Sequence, residues 1–535
     1  MSLAPSSRTW PRLAAVLALG AALWSTTAHA DVQLTAFRQS VAETAAPDES
    51  MAAFYRERGF DGFWTGSEAA DRRNALLEAL TFASAHGLPA DRFDPAMIVA
   101  ALHAADTAAE QGAMEVMLTN VLVDYARAVS TGLLTPSEVD SLLVRDVAPL
   151  DVGALLTAFT TGDPRAVLRA LPPSSAEYAR LMAAKLRLER QMDHGGWGVT
   201  VPAGALGPGD SGASVIALRD RLMAMGYLAP TSTRTYDAAI GAAVRRFQVA
   251  HGLEDDGEAG AGTIEALNVG PEARLRSVIV AMERERWLGD ERGDRHIWVN
   301  LADFTAAIID NDMVTFRTRS VIGALERDRQ SPEFSDEMDH MVINPTWYVP
   351  RSIVVGQYLP QLQRNASAVG HLRITDSQGR VVNRGSVNFG AYTARTFPFA
   401  MQQPPSTTNA LGIVKFMFPN QYNIYLHDTP ARDLFSHDVR AYSHGCIRLN
   451  DPRDFAYVLL ARQTDDPAGF FNERLETGNE TRVNLDVPVP VHLDYRTAFT
   501  DVTGALQHRP DVYGRDATIW EALAAEGVEI PTVSG

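Results

Sequence analysis

The sequence predicts a multidomain α+β chain: a helical N-terminal scaffold, a small three-helix unit, and a mainly-β domain that carries an insertion. Three observations support this. Apolar residues recur every three or four positions up to about Gly195, and again between Ala205 and Asn268. Beyond Pro271 the rhythm shortens to alternation and β-branched runs. The 535 residues are enough for about three domains.

Residues 1–30 read as a signal peptide. Arg8 and Arg12 precede an apolar run of 13–24, and Ala28 and Ala30 occupy A-x-A cleavage positions. The run is too short to span a bilayer comfortably, and no second candidate span follows. An uncleaved anchoring helix is the alternative. The mature chain is expected to be exported.

Residues 31–200 read as a helical scaffold domain. Helical spacing is clearest at 71–86, 107–131 and 175–192, with breaks at Leu88-Pro89 and Leu171-Pro172-Pro173. A Gly/Pro stretch at 195–212 then leads into a unit at 201–270. Val215, Leu218, Leu222 and Met225 lie on one helical face before Gly226, a helix stop. A second helix is expected at 238–251 with Val244 and Phe247 inward. A third, at 262–267, is read as opened by Thr263.

From 271 to 500 strands are expected at 296–301, 305–309 and 313–322, the last two joined by the polar turn Asp310-Asn311-Asp312. Further strands are expected at 341–349, 412–418 and 423–427. Between them, about 354–410 lacks strand rhythm, with a candidate helix at 355–364. A segment of that length inside a compact domain is usually functional, often a lid. Residues 501–535 read as a C-terminal tail.

Composition narrows the function. A net charge of -17 argues against nucleic acid and anionic lipid as partners. The single cysteine, Cys446, cannot form an internal disulfide. A lone thiol in an oxidising compartment is a chemical liability unless it is used, though a small buried hydrophobe is the bland alternative. Its context decides.

That context is Tyr425-Leu426-His427-Asp428-Thr429-Pro430, followed by Ser443-His444-Gly445-Cys446-Ile447-Arg448. A thiol nucleophile needs a partner that takes its proton and donors for the oxyanion it creates. On a strand with Ile424 and Leu426 in the core, Tyr425 and His427 share the other face. The second ring nitrogen of His427 needs an acceptor: a backbone carbonyl near Asp428 or Thr429, or a hydroxyl. Gly445 allows positive φ and close approach, so the N–H groups of Gly445 and Cys446 are the natural oxyanion donors. Asn450-Asp451-Pro452 starts a helix. A zinc site from His427, His437, His444 and Cys446 fits no closed structural spacing, so no metal and no cofactor is expected.

Two sets of motifs resemble known families. Gly209-x-x-Gly212-x-x-Val215, Ala243-Val244-x-x-Phe247-Gln248 and Asp256-Gly257 resemble the small helical peptidoglycan-binding domain. An upstream His, a spacer and Ser-His-Gly-Cys resemble the L,D-transpeptidase catalytic domain, closest to its large periplasmic members with scaffold, binding and catalytic domains. Leu411-Gly412-x-x-Lys415-Phe416-x-Phe418-Pro419-Asn420 adds to that likeness, while Pro405-Ser406 stands where that subgroup has Pro-Gly.

The resemblance implies Cys446 as acylated nucleophile and His427 as general base, with His444 and Gly445 lining the site. It implies that Arg448 binds a substrate carboxylate or anchors the loop. Tyr425, Ser443, Trp347, Tyr348 and Asn409 are further candidate substrate contacts, and 354–410 becomes a substrate-capping insertion. The implied partners are peptidoglycan stem peptides, a tetrapeptide donor and an amine acceptor, with wall-synthesis proteins on the scaffold. The implied reaction is 3→3 cross-linking through a Cys thioester, and carbapenems are expected to acylate Cys446. An L,D-carboxypeptidase of the same fold and a catalytically silent wall-binding protein are the alternatives.

Overall fold

The computed structural model describes residues 34–289 and 292–531, so the expected signal peptide lies outside the described residues. The scaffold is built round the helix Ala108–Ser130, which Thr107 and Glu110 open with a reciprocal capping box. Its buried Glu115 accepts the backbone N–H groups of Phe63, Trp64 and Thr65, which fixes an aromatic core of Tyr55, Phe63, Trp64 and Phe159. The helix Ala70–Thr81 stops short of the expected 86 because the chain turns there, reaching positive φ at Gly87.

The next unit holds the helices Ala213–Ala224, Ala238–His251 and Ala261–Asn268 around Val215, Leu222, Val244, Phe247 and Leu267. Thr263 does not open the third helix. It is buried, and its hydroxyl accepts from the Gln248 amide at 3.1 Å.

Residues 271–288, assigned to the strand region by the sequence, instead form the helix Pro271–Leu288. The reason is visible in Glu283-Arg284-Glu285-Arg286, an alternating charge run that is wholly buried. Each charge is paired: Arg286 with Glu283 at 2.6 Å, Glu285 with Arg292 at 2.7 Å and with Arg496, and Arg284 with Glu333 and Asp516. Such a run has no apolar stripe to betray a core helix.

The strands, in chain order, are β1 (Arg295–Asn300), β2 (Thr305–Asp310), β3 (Met313–Gly323), β4 (Phe334–Ile343), β5 (Trp347–Tyr348), β6 (Arg373–Thr375) and β7 (Ala400–Gln403). There follow β8 (Val414–Met417), β9 (Leu426–His427), β10 (Ala441–Ser443), β11 (Ile447–Leu449), β12 (Thr481–Asp494), β13 (Ala498–Thr500) and β14 (Leu506–His508). Among the described residues, nine form one sheet in the order β10-β3-β11-β9-β8-β4-β12-β1-β2, and pairing of β2 with β3 returns its far edge to β3. The β2–β3 turn has positive φ at both Asn311 and Asp312, the geometry whose twist matches a tight hairpin.

Three differences stand out here. The sequence did not predict β12: Pro488 and Pro490 disguise it, and a register shift between Asn484 and Val489 absorbs them. The insertion, read as lacking strands, has its own three-stranded sheet, β5-β7-β6, and its own core of Val349, Ile353, Leu359, Leu372, Ile374 and Met401. The expected tail is also docked. The helix Arg515–Ala525 buries Ile519 and Leu523 beside Pro271–Leu288, and Arg515 pairs with Glu333 at 3.0 Å.

Candidate active site

The site is a product of strand register. β9 lies between β8 and β11, with His427 opposite Lys415 on one side and opposite Arg448 on the other. Residues opposite each other in a sheet share a face, and so do alternate residues along a strand. Lys415, Tyr425, His427, Cys446 and Arg448 therefore project from one face. The opposite face buries Ile424, Leu426, Ile447 and Leu449 in the main core, which locks the register.

His427 is buried, and its Nδ1 sits 2.5 Å from the Asp428 carbonyl. The backbone oxygen is thus the acceptor that the sequence left open, and among the described residues Nε2 has no hydrogen-bond partner. Burial, then Arg448 and Lys415, push the imidazole down to about 3. Asp428 is itself held: its carboxylate accepts from Ile413 N–H, Thr429 N–H and Arg432. Gly412 is obligatory beside it, since a Cβ there would lie 2.1 Å from Asp428 Oδ2.

Cys446 is half-buried. Its thiol donates to the Asn423 carbonyl at 3.5 Å rather than to His427. Desolvation pushes the thiol up to about 11, against lowering by the Tyr425 backbone and hydroxyl, Arg448 and Lys415. At neutral pH the pair is therefore thiol and neutral imidazole. Arg448 and Lys415 oppose a charged His427 but favour a thiolate, so they are suited to negative charge that develops on sulfur. Arg448 has no ion-pair partner among the described residues, and its Nε has no acceptor. Burial lowers its pKa. Lys415, also lowered by burial, lies 5.9 Å from the Tyr425 ring centroid.

Gly445 has φ 107, and a Cβ there would come 2.9 Å from Ile424 Cδ1, so two separate constraints require glycine. Its carbonyl accepts from Ser331 Oγ at 2.7 Å. Among the described residues, the N–H groups of Gly445 and Cys446 have no acceptor, as oxyanion donors require.

The other expected residues fall in different places. His444 is exposed, and its Nε2 lies 2.7 Å from Gln357 of the insertion, tying the cap to the cysteine loop. Ser443 is buried on β10, where its carbonyl accepts from Ala324 N–H. Trp347 packs edge-on to Tyr358 in the cap, and Tyr348 is exposed. Asn409 is fully buried, its amide used up on the carbonyls of Pro345, Gln403 and Pro404 and the N–H of Leu411. Sequence reasoning offered the Asp428 carbonyl but missed the anchoring by its carboxylate, and it missed the placing of Lys415, Ser331 and Gln357. Lys415 could have been found from its even spacing on a strand flanking the His427 strand. The contacts of Ser331 and Gln357 span too much chain to leave a local signal.

Three family models match the chain: "Scaffold domain" over residues 49–184, "Putative peptidoglycan binding domain" over 211–267, and "L,D-transpeptidase catalytic domain" over 294–475. A curated relative named "Putative L,D-transpeptidase", from Haemophilus influenzae, is 29% identical over 229 residues. That match covers 42% of this chain and 45% of the relative, so it spans less than half the relative's length. Among solved structures, an L,D-transpeptidase from Xylanimonas cellulosilytica is 14% identical with a TM-score of 0.17, over 55% of this chain and 98% of that one. Another, from Stackebrandtia nassauensis, is 13% identical with a TM-score of 0.22, over 55% and 97%. Through residues 294–475 the chain is thus similar to the L,D-transpeptidase catalytic domain.

Proposed function

We propose that the chain is an exported, cysteine-dependent L,D-transpeptidase that forms 3→3 cross-links in peptidoglycan. The observation that carries this reading is the shared face of Cys446, His427, Lys415 and Arg448, next to the free amides of Gly445 and Cys446. In the donor step His427 Nε2 takes the thiol proton as Sγ attacks the carbonyl between the third and fourth residues of a stem tetrapeptide. Because the resting pair is neutral, proton transfer accompanies attack. The oxyanion is received by the two amides. The proton returns to the leaving D-alanine amine, and a thioester remains on Cys446. In the acceptor step His427 takes a proton from the side-chain amine of a second stem as that amine attacks the thioester. The amide cross-link forms and the thiol is restored.

Arg448 and Lys415 supply positive charge on this face, suited to the thiolate and to a substrate carboxylate. The Gln357–His444 contact supports a role for the insertion as a cap over the acyl-enzyme. The reading is tested by incubating the purified chain with disaccharide-tetrapeptide and resolving the products by mass spectrometry. A dimer that has lost one D-alanine is the expected result. Tripeptide alone would instead indicate an L,D-carboxypeptidase, in which water takes the acyl group, and unchanged substrate would reject both.

A further inference from the structure

The peptide unit between Gly445 and Cys446 is held at one end only. Its carbonyl accepts from Ser331, while its N–H has no acceptor among the described residues. A trans peptide is planar, so its carbonyl and its N–H point in opposite directions. Fixing the Gly445 carbonyl therefore fixes where the Cys446 N–H is aimed. Ser331 is fully buried, and its Oγ accepts from Gly323 N–H at 3.0 Å. That leaves the hydroxyl hydrogen for the Gly445 carbonyl at 2.7 Å. The packing around it is close. A Cβ on Gly323 would lie 2.6 Å from Ser331 N, and one on Gly445 would lie 3.9 Å from the Gln330 carbonyl.

A segment of the scaffold holds the stretch that carries Ser331. Residues 140–145 run along residues 327–335 as a strap. Arg327 Nη1 donates to Asp140 Oδ2 at 2.7 Å, and its Nη2 donates to Asp140 Oδ1 and to Ser141 Oγ. Among the described residues these are the only side-chain hydrogen bonds of Arg327. Leu142 N–H donates to Asp140 Oδ1 at 2.7 Å, so one carboxylate both shapes the strap and holds Arg327. Glu333 N–H donates to the Leu142 carbonyl and Val144 N–H to the Glu333 carbonyl, both at 2.8 Å. Leu143, bridged in parallel to Glu333, is wholly buried. Arg145 then donates to Ser335 Oγ at 2.9 Å and to the Leu493 carbonyl at 2.6 Å. Ser331 thus lies between two clamps, at Arg327 and at Glu333, and the scaffold supplies both.

We propose that scaffold residues 140–145 are a positioning element of the active site, acting through Ser331 to aim the Cys446 N–H at the oxyanion. This rests on the catalytic reading above. The scaffold then contributes to the rate of acyl transfer, and does more than join domains.

The test compares two reactions of Cys446 in the full chain. Acylation by a carbapenem builds an oxyanion and draws on the amide donors. Alkylation by iodoacetamide displaces iodide at carbon, builds no oxyanion, and reads the thiolate alone. Arg327→Gln, at an exposed position, is expected to slow acylation about threefold or more with alkylation unchanged. Val144→Pro removes the N–H that holds the Glu333 carbonyl, and a loss of about tenfold or more is expected. Arg327→Lys, which keeps the charge, should fall between wild type and Arg327→Gln. Thermal melts confirm the fold of each variant, and Arg327→Gln carries the test if Val144→Pro does not fold. Acylation at the wild-type rate in the folded variants would overturn the proposal, as would acylation and alkylation that slow together. A wild-type chain that the carbapenem leaves unmodified would instead reject the catalytic reading, and the proposal with it.

Discussion

The face around Cys446 and the hub around Arg284 both bury charge, and they handle it in opposite ways. In the hub each carboxylate meets a guanidinium: Glu333 takes Arg284 and Arg515, and Asp494 takes Arg496 at 2.5 Å and Arg145 at 3.2 Å. On the Cys446 face neither Arg448 nor Lys415 makes an ion pair among the described residues, His427 is held neutral, and Gly445 has a positive φ. A closed network holds domains in register, whereas an open one leaves charge available to a reacting group. The two regions touch through Ser331. Its hydroxyl donates to the Gly445 carbonyl, while its own carbonyl accepts from Arg515 of the hub at 2.6 Å. The docked C-terminal helix thus reaches the cysteine loop in two hydrogen bonds.

If the division is right, damage to the two regions should separate cleanly. The largest effect is expected from His427→Ala, which removes the proposed base. Acylation by a chromogenic carbapenem should slow about 10³- to 10⁴-fold, with little change in melting temperature. Equal rates would remove His427 from the reaction. Glu333→Gln should do the reverse. It leaves Arg284 and Arg515 short of a counter-charge at a buried position, for a loss of about 3–5 kcal/mol in denaturant unfolding. A loss below about 1 kcal/mol would mean that the hub is solvated.

Gly445→Ala combines strain with a clash against Ile424, and a loss of roughly 10²-fold in acylation is expected, comparable to losing one oxyanion donor. Acid should weaken the fold next. His86 (about 4), His251 (about 3), His427 (about 3) and His492 (about 4) are all lowered by burial. The unfolded chain therefore binds more protons than the folded one between those values and about 6.5, and stability falls as pH drops through that window. The slope is on the order of 1 kcal/mol per pH unit for each group. A melting temperature that rises from pH 7 to pH 5 would contradict this. Smallest is Ser331→Ala, expected to cost about 1 kcal/mol and a few-fold in acylation. No effect on either would break the proposed link between the regions.

Local patterns carried the catalytic half of this picture. The alternation of Ile424 and Leu426 with Tyr425 and His427 was legible because one face of β9 is core. Ser443-His444-Gly445-Cys446 was legible because chemistry compresses it into four positions. What stayed hidden depends on distance along the chain. The hub left no such local pattern, since Glu285 finds Arg496 and Arg284 finds Asp516 only in the folded chain. The cap's three strands are short and interrupted, and β12 is masked by two prolines. The acceptor of His427 Nδ1 came down to the Asp428 carbonyl, which no side-chain pattern could specify.

The central claim is that Cys446 is the nucleophile of an open, charge-assisted face. Intact-mass analysis after incubation with a carbapenem, with peptide mapping, tests it most directly. One adduct per chain is expected, located on Cys446 and absent from Cys446→Ala. An adduct that persists in Cys446→Ala, or a wild-type chain that stays unmodified, would contradict it.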